Sequence, residues 1–149
     1  MKFHIIGIPF SKQSMRHRMV NVPGKKTYIQ NYKPSAVRDN EDSVRYQVLA
    51  QLPRGFTPWR GPVIIDELTY IFPLLKSFSK KKLKSIEAGD THFKHTKPDL
   101  TDNLNKGVFD ALEGVLFLND SQICEIMNAR KIYGLKPGIV LEIREMKNA

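Results

Sequence analysis

The chain has 149 residues, 41% of them hydrophobic and 26% charged, which suits one soluble domain with a core of its own. Twenty-four Lys and Arg against fifteen Asp and Glu leave a formal charge of +9, an excess that favours a polyanionic partner. The single cysteine excludes an intramolecular disulfide and a zinc site built on several thiolates, and no apolar run approaches the ~20 residues of a membrane helix. The opening MKFHIIGIPF lacks the apolar length and cleavage site of a signal peptide, so a cytoplasmic protein with no membrane partner is expected.

Phe3–Ile8 predicts a first strand, ended by Pro9. Ser11–Lys33 then carries Lys12, Arg16, Arg18, Lys25, Lys26 and Lys33 without a single acid, which predicts a phosphate-contacting loop or hairpin rather than a merely solvated one. Tyr28 could stack there on an unpaired base, or pack inside a hairpin. Ser35–Leu52 predicts a helix capped by Ser35, with Val37, Val44, Val48 and Leu52 at helical spacing. Asp39, Glu41 and Asp42 fit near the positive end of its dipole and need no role in chemistry.

Pro53–Pro62 is a turn-rich connector, anchored through Trp59. Val63–Phe72 predicts a strand with Ile64, Leu68, Tyr70 and Phe72 on one phase and Val63, Ile65, Thr69 and Ile71 on the other. Apolar residues on both phases indicate a central strand. Ser79–Ala88 predicts a short helix between the cap Ser79 and the stop Gly89, its lysines facing solvent or a nucleic-acid backbone. Ser121–Tyr133 and Ile139–Met146, joined by the turn Lys136–Gly138, predict an antiparallel hairpin. The sum is an α+β fold over residues 1–149, a single domain with helices packed on a mixed sheet.

Lys97–Asp120, KPDLTDNLNKGVFDALEGVLFLND, gathers acids inside this basic chain. Asp99 or Thr101 can cap a helix whose buried face is Leu104, Val108, Ala111 and Leu112 and whose stop is Gly114. Asp102, Lys106 and Asp110 share a stripe at i, i+4 and i+8, which alone is an ordinary surface ion pair. Asp99 stands a turn earlier, and the run Val115–Leu118 returns Asp120 to solvent. If Asp99, Asp102 and Asp120 converge, their hard oxygens suit Mg²⁺, and Lys106 can meet charge developing on a phosphate.

The stretch KPDLTDNLNKGVFDALEGVLFLNDSQI resembles the signature of the RusA-type Holliday junction resolvases, an Asp-x-Asp-Asn-x-x-x-Lys segment and a later Asp-Asp-x-Gln segment around the metal. The resemblance is specific over Lys97–Ile123 and extends weakly to the N-terminal strand and the following SKQSMRHR. It implies a homodimeric α+β endonuclease, typically encoded by phages and prophages. Such enzymes use Mg²⁺ (or Mn²⁺) to place paired symmetric nicks in a four-way DNA junction during recombination and repair. Matched residue by residue, Asp99 and Asp102 correspond to the motif aspartates, Lys106 to its lysine and Asp120 to the later acidic ligand. Lys12, Arg16, Arg18, Lys25, Lys26 and Lys97 would grip the junction backbones.

Two departures stand out. Leu100 and Thr101 separate the first two aspartates where the pattern has one residue, and Asn119 replaces the first acid of the later pair. Two other readings stay open: a non-catalytic nucleic-acid binder, and a metal nuclease for flaps or other branched DNA. His4, His17, His92 and His95 are too scattered for zinc, and Ser11, Ser14 and Ser121 lack a Ser/His/Asp arrangement.

Overall fold

Val63–Phe72, the longest apolar strand of the sequence, becomes the middle of a mixed sheet in a computed structural model, which describes residues 1–11 and 16–147. Lys12 falls outside the described residues, as does the side chain of Arg16. The elements run β1 (Lys2–Ile6), β2 (Arg16–Val20), β3 (Tyr28–Tyr32), α1 (Ser35–Gln51), β4 (Val63–Phe72), α2 (Lys80–Glu87), a π-helical turn (Leu100–Leu104), α3 (Asn105–Leu112), β5 (Ile123–Ile126), β6 (Ala129–Tyr133) and β7 (Gly138–Glu145).

β4 has β7 antiparallel on one side, with β1 beyond it. On its other side β5 and then β6 run parallel to it. The last two strands therefore do not form the expected hairpin, because β4 lies between them. Alternation showed that both segments are strands, but it carries no information about partners. The link from β6 crosses the end of β4, where the Gly134 N–H donates to the Phe72 carbonyl at 3.0 Å. A Cβ at Gly138 would lie 2.5 Å from the Ile5 carbonyl oxygen, so the crossover needs glycine there.

The phases of β4 also differ from the expectation. The register against β7 slips between Ile65 and Glu67, a bulge that shifts the inward set by one residue. Val63 and Ile65 before it, and Leu68, Tyr70 and Phe72 after it, all join the core, with Val44 and Val48 of α1 and Leu104, Val108, Ala111 and Leu112 of α3. The opposite face of the sheet is ionic: Lys2 and Arg130 approach Glu67, and Arg144 pairs with Asp66 at 3.0 Å. Burial pushes the Glu67 carboxyl up, but the Thr69 hydroxyl, Lys2 and Arg130 outweigh it and hold the group below its usual range.

α1 begins at Pro34 rather than under a Ser35 cap. No side chain caps it, and the Pro34 carbonyl accepts the first helical bonds. Glu41 is buried, paired with Lys33 at 2.7 Å, instead of decorating the first turn. Gln47 and Gln51 bond the free edge of β1: Gln47 takes the N–H and C=O of Ile6, and Gln51 those of His4. Four residues of helix rise about 6 Å and two of strand about 6.6 Å, so the two amides match alternate strand residues. An edge open to pairing is thereby closed. α2 is bounded as expected, with Ser79 Oγ accepting from the Lys82 N–H at 3.2 Å and Gly89 at φ +98°. Its first turn holds Lys80, Lys81 and Lys82, where the dipole prefers acids.

Candidate metal and nucleic-acid site

The motif helix opens after a cis Lys97–Pro98 bond. Asp99 is its cap: Oδ1 accepts from the N–H groups of Asp102 (3.2 Å) and Asn103 (3.0 Å), and Oδ2 from Asn103 Nδ2 (3.0 Å). The next turn is π-helical, with the Leu104 N–H reaching the Asp99 carbonyl and the Asn105 N–H reaching that of Leu100. A π turn holds one residue more than an α turn. The additional residue between Asp99 and Asp102 is taken up there, and the helix continues in register with Leu104, Val108, Ala111 and Leu112 buried as expected. Asp102 and Lys106 are both exposed.

Two interactions between residues distant in the chain, invisible to residue spacing, hold this opening in place. The Tyr70 hydroxyl, fully buried, donates to Asn105 Oδ1 at 3.0 Å and ties α3 to β4 one residue before Lys106. Burial pushes the Tyr70 pKa well above its ordinary value, so the group stays a neutral donor. Lys131 Nζ donates to the carbonyls of Thr96 and Pro98, each at 2.7 Å, fixing the chain just before Asp99. The same segment is paired with β6 through the Lys94 N–H to the Lys131 carbonyl and the Tyr133 N–H to that of His92. Ser11, Lys97, Pro98, Asp99 and Asn103 line a cleft of about 420 Å³, so the basic N-terminal segment leaves from the wall of the motif's own cleft.

At the closing end, Gly114 at φ +75° turns the chain and donates to the Phe117 carbonyl at 2.7 Å. Trp59 anchors the Pro53–Pro62 connector as expected, packed against the core with its N–H on the Leu116 carbonyl of this return at 2.8 Å. Asn119 Oδ1 accepts from the Ser121 N–H at 2.9 Å. Gln122 clasps the turn: Oε1 accepts from Leu118 and Asn119 N–H, and Nε2 donates to the carbonyls of Trp59 and Gly61. The Asp120 N–H donates to Glu113 Oε1 at 2.9 Å.

That bond puts Asp120 beside the last turn of α3, roughly 16 Å of helix axis beyond Asp102. Asp99, Asp102 and Asp120 do not converge as expected, and among the described residues no three His, Cys, Asp or Glu side chains lie close enough to hold a metal ion. The turn at Gly114 returns the chain only as far as Glu113, a path that residue spacing could not disclose. Asp99 and Asp102 stand together at the helix opening, and hard carboxylate oxygens are the donors that Mg²⁺ takes, one or two at a time, while keeping waters and a phosphate oxygen.

The basic segment does form a hairpin, β2 against β3. Arg18 donates from Nε and Nη2 to Gln30 Oε1 and lies 5.3 Å from the Tyr32 ring centroid. Lys25, Lys26 and Tyr28 are exposed, so Tyr28 is not a core contact. Met19 and Ile29, opposite each other, are exposed as well. Ser85 makes the one Ser/His/Asp contact seen among the described residues, its Oγ 2.6 Å from Asp90 Oδ2 and 2.9 Å from His92 Nε2. The acid touches the serine rather than the histidine, so nothing orients the imidazole as a base; the trio clasps the end of α2.

A family model described as Endodeoxyribonuclease RusA matches residues 9–144. The chain is also similar to the "Uncharacterized protein YqaN" of Bacillus subtilis (strain 168), with 31% identity over 153 residues, spanning 98% of this chain and 96% of that protein.

Proposed function

We propose that this chain, which belongs to the RusA endodeoxyribonuclease family, is a Mg²⁺-dependent enzyme that resolves four-way DNA junctions by paired symmetric nicks. It acts as a homodimer in the cytoplasm, in DNA recombination and repair, with residues 1–149 forming one RusA-like domain. The observation that carries this reading is the opening of α3, where exposed Asp102 and Lys106 follow the cap Asp99 beside a cleft from which the basic segment departs.

Asp99 and Asp102 would hold the ion, Mg²⁺ or Mn²⁺; the family resemblance assigns Asp120 to the same set, but its place at the far end of α3 puts it out of their reach within one protomer. When bound, the metal polarises the phosphodiester and helps ionise the attacking water. Asp99 fixes the helix start through its cap and lines the cleft. Lys106 supplies positive charge for the oxyanion that develops on the phosphate. Lys97 at the cleft and Arg18, Lys25 and Lys26 on the hairpin hold the DNA backbone, joined by Lys12 and Arg16. A junction with two equivalent strands to cut calls for two equivalent sites, which a C₂ dimer presents.

The test is a panel of end-labelled four-way junction, flap and linear duplex, each with Mg²⁺ or with EDTA. The expected result is symmetric nicking of the junction in Mg²⁺ only. Binding without cleavage under every condition would leave a non-catalytic binder, and preferential cutting of flaps would change the substrate.

A further inference from the structure

We propose a second DNA-binding surface, running from the cleft at Lys97 along His92–Lys97 to α2, that holds the backbone of a duplex arm. It rests on the nuclease reading for the identity of the polyanion, and it is separate from the hairpin. Between Lys76 and Lys97 the chain has seven lysines, Lys76, Lys80, Lys81, Lys82, Lys84, Lys94 and Lys97, against two acids, Glu87 and Asp90. One of those acids, Asp90, is taken up by the Ser85 hydroxyl.

Among the described residues the ion pairs use Lys2, Lys33, Arg45, Arg130 and Arg144, and none uses any of these seven lysines. Two of the seven are instead held over aromatic rings. Lys82 Nζ lies 3.9 Å from the Phe78 centroid and 5.5 Å from that of Tyr133, and Lys94 Nζ lies 5.2 Å from Phe72 and 5.4 Å from Tyr133. A ring face positions an ammonium group without cancelling its charge. Lys94 Nζ also donates to Thr96 Oγ1 at 2.7 Å, which carries the surface on to Lys97 and the cleft.

Lys80, Lys81 and Lys84 are exposed at the other end of the surface. The first two sit where the helix dipole disfavours cations, so helix stability does not account for them. α2 is about 12 Å long, a length over which a duplex presents about seven phosphate charges. Lysine is a point charge on a flexible stem, suited to backbone contact without sequence preference.

The test measures binding of a labelled four-way junction in EDTA across a salt series, for the wild type, for Lys80→Gln/Lys81→Gln/Lys84→Gln and for the hairpin variant Arg18→Gln/Lys25→Gln/Lys26→Gln. Circular dichroism checks each fold. If all three α2 lysines meet phosphates, the triple variant binds at least about tenfold more weakly near 0.1 M salt, and the slope of log K against log salt flattens by about 2.7. Lys84→Gln alone flattens it by about 0.9 and keeps the test open should the triple variant not fold. Wild-type affinity and slope in the α2 variants, with the wild type still nicking junctions in Mg²⁺, would overturn the surface and leave the nuclease reading standing. A wild-type protein that binds no DNA would overturn both.

Discussion

At its opening end α3 leaves Asp102 and Lys106 exposed and caps itself with Asp99, whereas at its closing end Glu113, Asn119 and Gln122 are all bonded to backbone groups of their own turn. The same residue types thus serve opposite ends differently. At the opening, the helix is held from behind by Tyr70 and Lys131, so its polar side chains are released to face outward. At the closing, the Trp59 N–H on the Leu116 carbonyl and the Gln122 amide tie the turn to the connector, and the turn's own amides and carboxylate hold the rest together. Asn119, read from the sequence as a lost charge, is a cap, and its amide oxygen meets that need without a charge.

The difference can be sharpened by substitutions at each end. Lys106→Ala should slow Mg²⁺-dependent nicking by on the order of a hundredfold while junction binding changes only severalfold, since the charge is proposed to act on the transition state. Lys131→Met should slow nicking roughly tenfold and raise the Mg²⁺ concentration for half-maximal rate, with Lys131→Arg restoring most of the activity. A stability loss without a change in the Mg²⁺ response would assign Lys131 to folding alone. At the closing end, Gln122→Ala should lower stability in urea by about 2 kcal/mol, because it strips partners from backbone groups of two segments.

Tyr70→Phe should have the smallest effect, a loss of about 1 kcal/mol at neutral pH from leaving Asn105 Oδ1 short of a donor. Its pH signature has a definite sign. The unfolded tyrosine ionises near pH 10, while the buried one stays protonated above that. The folded state then binds more protons than the unfolded, so wild-type stability is unaffected below about pH 10 and falls above it, by up to about 1.4 kcal/mol per pH unit. Tyr70→Phe removes that fall, which denaturation at a series of alkaline pH values would measure.

Much of this fold was legible because single elements carry their own marks. β4 announced itself by apolar residues on both of its phases, α2 by Ser79 and Gly89, and α3 by its buried stripe ending at Gly114. What the sequence concealed depends on distant partners. The pairing of β6 with β4 instead of β7, the bulge at Asp66 and the glutamines of α1 on β1 all arise from tertiary contact. The site divides the same way. The acids, Lys106 and the extra residue before Asp102 were visible, but not the π turn that absorbs it, the Lys131 clasp, or the return path that strands Asp120 beside Glu113.

The most direct test of the opening end as the metal-dependent centre is Asp102→Asn, assayed on a labelled four-way junction in Mg²⁺ together with Mn²⁺ binding by the free protein. The rate should fall by at least about 10³-fold and Mn²⁺ binding should be lost, while junction affinity holds or rises as a phosphate-repelling charge disappears. Wild-type nicking and Mn²⁺ binding by this variant would contradict the account.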